Sequence, residues 1–245
     1  MKRIFACTLA ISLCLASCNR DDDDRETTKE VETLAEQNAN DDQAIAKYLD
    51  EHYLDAQGLI KAFSATDTSD DNETKLSALN PQTLPSGVVY IVRQGAQPAS
   101  GTPIGETDVI HLMTKTTTFL SRRKDDGTMS YGSEGTFINT IDNFGTPDKD
   151  PYYYYVKKSV LDKASSDIQK QRSYYEIEGF KEALKHFQAF DQEDSAPYNL
   201  QGVIIVPSRA AYARDLHYPN NIYRNRSFVF NFQVYKSKAR TSAEE

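Results

Sequence analysis

The chain has no tryptophan, and its three cysteines, Cys7, Cys14 and Cys18, all fall near the N-terminus. Everything after them lacks a thiol for a disulfide, a thiolate metal site or a nucleophile. The four histidines, His52, His111, His186 and His217, lie far apart and show no zinc-ligand spacing. There is no GxSxG, no HExxH and no glycine-rich phosphate loop. Carboxylates are plentiful but concentrate in polar loops, so no glycosidase-type pair stands out. The acidic group Asp67, Asp70, Asp71, Asn72 and Glu73 lacks the glycine and the alternating spacing of a calcium loop, and reads as solvated. These absences imply no cofactor and no metal, and leave chemistry that needs no ionisable catalyst. A net charge of -8 argues against nucleic acid or an anionic lipid surface as partner.

What is present begins with a short basic start and an apolar run, "MKRIFACTLAISLCLASC", too short to span a membrane comfortably. Leu15-Ala16-Ser17-Cys18 resembles the lipobox of bacterial lipoproteins. The resemblance implies a signal peptide over 1–17 and lipidation of Cys18, with acyl chains holding the protein in the cell envelope, at the outer membrane. The following stretch, 18–39, is charged and poor in large apolar residues, and reads as a flexible acidic tether. Its acidic run also resembles the surface-export signal of Bacteroidetes lipoproteins.

From Asn40 the pattern becomes amphipathic, with Ile45, Tyr48, Leu49, His52 and Tyr53 at helical spacing ahead of Gly58. A polar, turn-rich connection completes the segment 40–85. Strand signals then dominate: "SGVVYIVRQG", "TDVIHLMTKTTTFL", a turn at Asp126-Gly127, and a further strand around Tyr152 to Val156, whose tyrosines are expected to serve packing. His111 is expected as a satisfied core residue within its strand, and His186 at the surface. In "EGFKEALKHFQAF" the residues Phe180, Ala183, Leu184 and Phe187 share one helical face. "QGVIIVP" reads as a buried strand. "RSFVFNFQVY" alternates Phe228, Phe230, Phe232 and Val234 against Ser227, Asn231 and Gln233. One helix across a curved antiparallel sheet is an α+β arrangement over 86–237, with a short helix before it and a disordered tail over 238–245.

"IEGFKEALKHF", "GVIIVPSRAAYA" and "IYRNRSFVFNFQVYKS" together resemble the C-terminal half of FKBP-type peptidyl-prolyl cis-trans isomerases, and "SGVVYIVRQG" and "DVIHLM" resemble the first strands of that family. The resemblance implies a sheet half-wrapped around one helix, with a proline-binding pocket between them. It implies that the Ile177 N–H meets a substrate carbonyl, Phe180 forms the pocket floor, Tyr212 donates its hydroxyl and Phe230 lines the base. His217 and Ile222 would flank the mouth, Leu112 would stand where an early-strand tyrosine belongs, and Ser130-Tyr131 would replace a Phe-Asp wall. Glu176 replaces a valine.

Two functions stay open. One is a lipid-anchored prolyl isomerase that helps exported proteins fold by desolvating and twisting X-Pro bonds, whose resonance barrier is ~18–20 kcal/mol; its partners would be proline-containing segments. The other is a catalytically silent FKBP-like module that binds an envelope protein, or a structural lipoprotein of a surface or motility complex.

Overall fold

The structure, a computed structural model, describes residues 33–143, 145–214 and 222–245. Cys18 and His217 lie outside them. The folded unit is Thr33–Glu245. Among the described residues no helix is long and apolar enough to cross a membrane.

Helix α1, Leu34–Glu51, starts inside the stretch read as tether, because Thr33 and Glu36 form a reciprocal capping box. The Thr33 hydroxyl accepts the Glu36 N–H at 3.2 Å, and the Glu36 carboxylate accepts the Thr33 N–H at 2.8 Å. It also ends earlier than the periodicity implies. His52 takes up extended geometry, and β1, His52–Leu54, pairs with β2, Ile60–Ala62.

The main sheet is built from β3 (Gln82–Thr83), β4 (Val89–Val92), β6 (Val109–Arg123), β7 (Met129–Asn139), β8 (Asp148–Lys149), β10 (Gly202–Val206) and β11 (Arg226–Lys238). Its order is β3-β4-β10-β11-β6-β7, with β8 on β6, and every pairing is antiparallel. β5 (Thr102–Pro103) and β9 (Gln188–Ala189) form a separate antiparallel pair. Short helices α2 (Thr140–Asn143) and α3 (Lys158–Asp162) occupy the central connection. Helix α4, Glu178–Leu184, crosses one face; Phe187 follows it in a turn but stays buried. The α4 approach is close enough to need glycine: a Cβ on Gly179 would lie 2.6 Å from Val206 and 2.7 Å from Val88.

Period-two alternation sorts the side chains of the central strands. Leu112, Ile204, Phe228, Phe230, Phe232 and Val234 face α4 with Phe180, Ala183 and Leu184. Ile91, Phe119, Val203, Ile205 and Val229 face α1, which contributes Ala44, Ile45, Tyr48 and Leu49. The sheet is therefore covered on both faces, by α4 on one side and by α1 on the other. The segment after α1 also covers that side, so the polar alternates of β11 are not solvated: Asn231 is buried, accepts the Ile60 N–H at 3.0 Å and donates to the Gly58 carbonyl at 2.9 Å. The buried Asp41 carboxylate pins α1 in place, accepting the Ser208 N–H at 3.0 Å and hydroxyl at 2.5 Å, the Ser121 hydroxyl, and Gln37 Nε2 at 2.8 Å.

Two further expectations are corrected. Tyr152 to Val156 is not a strand: Pro151 opens a turn whose carbonyl accepts the Tyr154 N–H at 3.0 Å and the Tyr155 N–H at 3.1 Å. The tail from 238 is structured, because the Arg240 side chain, 2% exposed, pairs with Asp150, and the Tyr155 hydroxyl donates to Glu245 at 2.8 Å.

Candidate functional site

The end of β10 delivers Pro207 and the short turn carrying Tyr212. The approach to α4 delivers Glu176 and Ile177, α4 delivers Phe180, and β11 delivers Phe230. These elements bring Ile177, Phe180, Tyr212, Phe230 and Leu112 into one apolar cluster. Phe180 and Phe230 stack with ring centroids 4.1 Å apart, and Tyr212 packs edge-on against Phe228 at 5.7 Å.

The cluster is full. Ile177, Phe180, Phe230 and Leu112 are completely buried, and Tyr212 is nearly so. Cavities of about 840, 500, 440 and 220 Å³ occur in the described part, and none is lined by these residues. Tyr153 occupies the space. Its ring, fully buried, lies 6.1 Å from Phe180, 6.0 Å from Phe230 and 5.3 Å from Phe137. Its carbonyl accepts the Ile177 N–H at 2.8 Å, so the donor implied for a substrate is engaged by the chain itself. The Tyr212 hydroxyl likewise donates to the Tyr175 carbonyl, at 2.7 Å.

Segment 151–156 is held by charge as well as by packing. Glu176 is 4% exposed and accepts the Val156 N–H at 2.9 Å, Arg172 at 2.9 Å and Lys181 at 2.8 Å. Arg172 also donates to the Val156 carbonyl at 2.7 Å. The guanidinium carbons of Arg172 and Arg240 lie 4.3 and 4.2 Å from the centre of the Tyr155 ring. Asp150 anchors the start of the segment. Burial pushes its carboxyl up, but the hydrogen bonds and charges of Arg240 and Lys157 outweigh this and leave it below the usual carboxylate range. Burial drives the Tyr153 hydroxyl well above the ordinary tyrosine range, so it stays neutral.

Tyr131 is not part of this cluster. It packs on the opposite face against Tyr48 and Phe119, at 5.2 and 5.6 Å, and its hydroxyl donates to Glu51 at 2.8 Å. The β7 residues packed against the cluster are Phe137 and Ile138, and Phe137 contacts Tyr153, Tyr223 and Phe228. Two bulges in the β6–β7 pairing, at Thr116/Thr117 and Thr118/Leu120, change which β7 residues face α4, and residue spacing alone does not reveal them. Ile222 is 77% exposed.

Sequence reading missed Tyr153, Phe137 and Tyr223 as members of the cluster. The usable signal was the Pro151 turn, which stops the tyrosine run from alternating as a strand. Of the histidines, His111 is hydrogen-bonded through Nδ1 to Asp194 at 2.7 Å and is partly exposed, while His186 is exposed and stacks on Tyr90 at 4.4 Å. Among the described residues no group of three His, Cys, Asp or Glu could hold a metal ion.

No protein-family model and no curated protein matches the chain. Among solved structures it is similar to FkpA from Escherichia coli, at 19% identity and a TM-score of 0.35, over 64% of this chain and 51% of that one. It thus spans about half the length of FkpA. It is also similar to a peptidyl-prolyl cis-trans isomerase from Pseudomonas syringae pv. tomato, at 13% identity and a TM-score of 0.32, over 65% of this chain and 81% of that one.

Proposed function

We propose that the chain is an envelope lipoprotein, anchored through Cys18, whose folded part is an FKBP-like domain with its proline cleft filled from within. In this reading it serves as a catalytically silent binding module for another envelope protein. The motifs around Ile177, Phe180, Tyr212 and Phe230 support the FKBP-like part. One observation carries the silent part: Tyr153 covers the Phe180–Phe230 stack while its carbonyl takes the Ile177 N–H at 2.8 Å.

The physics follows from what twisting an X-Pro bond requires. A pocket accelerates the rotation only by holding the twisted amide better than the planar one, in a dry site with donors already aimed. Here the dry volume is occupied by a tyrosine ring, and the donor's proton is committed to a carbonyl. A substrate would have to displace both. Glu176, where the family keeps valine, supports the filled state because its carboxylate accepts the Val156 N–H and draws in Arg172 and Lys181.

A protease-coupled assay over a panel of X-Pro peptides tests the reading. No acceleration above the uncatalysed rate is the expected result. Acceleration that Tyr212→Phe or Phe180→Ala abolishes would restore the isomerase reading. The anchor is tested separately: Cys18→Ser is expected to release the protein from the membrane fraction.

A further inference from the structure

Beside the filled cleft, between the end of β7 and β8, lies a cavity of about 440 Å³ whose walls include Phe137, Ile138, Thr140, Pro147 and Asp148. Its volume falls in the range of small-ligand sites, about 300–1,000 Å³. We infer that this cavity binds an arginine side chain of a polypeptide partner, with the guanidinium on Asp148 and the aliphatic stem on Phe137, Ile138 and Pro147.

Charge complementarity carries the inference. Asp148 is half-buried and makes no ion pair among the described residues. Its neighbour Lys149, which also lines the cavity, is engaged elsewhere: its ammonium lies 2.7 Å from Asp194. The Tyr153 hydroxyl reaches the Asp148 carboxylate only at 3.5 Å, the limit of a hydrogen bond. Burial pushes the Asp148 carboxyl up, the Tyr153 hydroxyl and the Lys149 backbone N–H draw it back, and the charge of Asp150 adds to the rise. A cation supplied from outside would relieve that cost.

The walls are mixed, with Phe137, Ile138 and Pro147 apolar and the threonines and Asn139 polar, and the apolar part favours arginine over lysine. A guanidinium is more weakly hydrated than an ammonium and offers a planar fork that matches a carboxylate. Its three-methylene stem can lie along aromatic and aliphatic surface while the head meets the acid. The inference does not depend on whether the chain turns X-Pro bonds: Phe137 borders both the cluster and this cavity, but Ile177, Phe180, Tyr212 and Phe230 do not line it.

The test is a titration of the full chain with N-acetyl-arginine methylamide and with its neutral citrulline counterpart, followed by amide chemical shifts. Saturable shifts at Phe137, Ile138 and Lys149 are expected with arginine, with affinity at least about tenfold weaker for citrulline, as one lost charge-assisted hydrogen bond implies. Asp148→Asn should reduce the arginine response to the citrulline level, with the rest of the spectrum unchanged. Equal affinity for the two ligands, shifts confined to other regions, or an undiminished response in Asp148→Asn would overturn the assignment. The arginine–citrulline comparison needs no variant, so it decides the matter even if Asp148→Asn folds poorly.

Discussion

Replacing Tyr153 by alanine is the perturbation to which the filled cluster should respond most. The side chain is fully buried and touches Phe137, Phe180 and Phe230, so truncation removes a whole aromatic ring from close-packed surroundings. Large aromatic-to-alanine changes of this kind cost roughly 3–5 kcal/mol, combining lost transfer energy with the cavity left behind. For a folded unit of this size each kcal/mol shifts the melting temperature by about 2–4 °C, so the drop should be roughly 6–20 °C. Tyr153→Phe separates ring from hydroxyl. Because the hydroxyl meets Asp148 only at 3.5 Å, that variant should lose no more than about 0.5 kcal/mol. Denaturant unfolding with unchanged m-values measures both. The void left beside Phe180 and Phe230 in Tyr153→Ala should take up a small aromatic such as benzene, raising the variant's midpoint. A loss below about 1 kcal/mol in Tyr153→Ala, or equal losses in the two variants, would refute the claim that this ring fills the cleft.

Asp41→Ala should destabilise by roughly 2–6 kcal/mol, about 1–3 for each Ser208 donor left without its acceptor, and should speed proteolysis within α1. His52, buried and stacked 3.7 Å from Tyr48, has its pKa lowered by burial despite the bond from its Nδ1 to the Tyr48 carbonyl. The unfolded chain therefore binds the proton first. Its contribution to stability is complete above the ordinary histidine pKa near 6.5 and is lost as pH falls from there through the lowered folded value. Subtracting the stability–pH curve of His52→Gln should isolate that slope, and a difference that stays flat below pH 6.5 would remove His52 from the account. In the X-Pro assay, the wild-type chain should leave the isomerisation rate unchanged.

Much of the α4 face was readable because burial there follows simple periodicity. Phe180, Ala183 and Leu184 repeat at helical spacing, and Phe228, Phe230 and Phe232 alternate along a strand. Other features were hidden for definable reasons. Asn231 looks solvent-facing until the N-terminal segment covers it through long-range hydrogen bonds to Ile60 and Gly58, and Gln233 until the connection before β10 brings the Asn199 N–H to it. The start of α1 depends on one capping box in a polar stretch. Phe137 stands where Tyr131 was expected, because bulges shift strand register without marking composition. Arg240 looks like part of a charged tail, yet Asp150, 90 residues earlier in the chain, pairs with it.

The Ile177 amide offers the most direct test of the filled cleft. Its N–H lies 2.8 Å from the Tyr153 carbonyl in a fully buried setting. Amide hydrogen exchange at Ile177, measured with and without saturating X-Pro peptide, should be as slow as that of the central β10 amides and unchanged by the peptide. Rapid exchange in the free protein, or an Ile177 amide resonance that moves on adding the peptide, would show that this donor is open to substrate and would contradict the account.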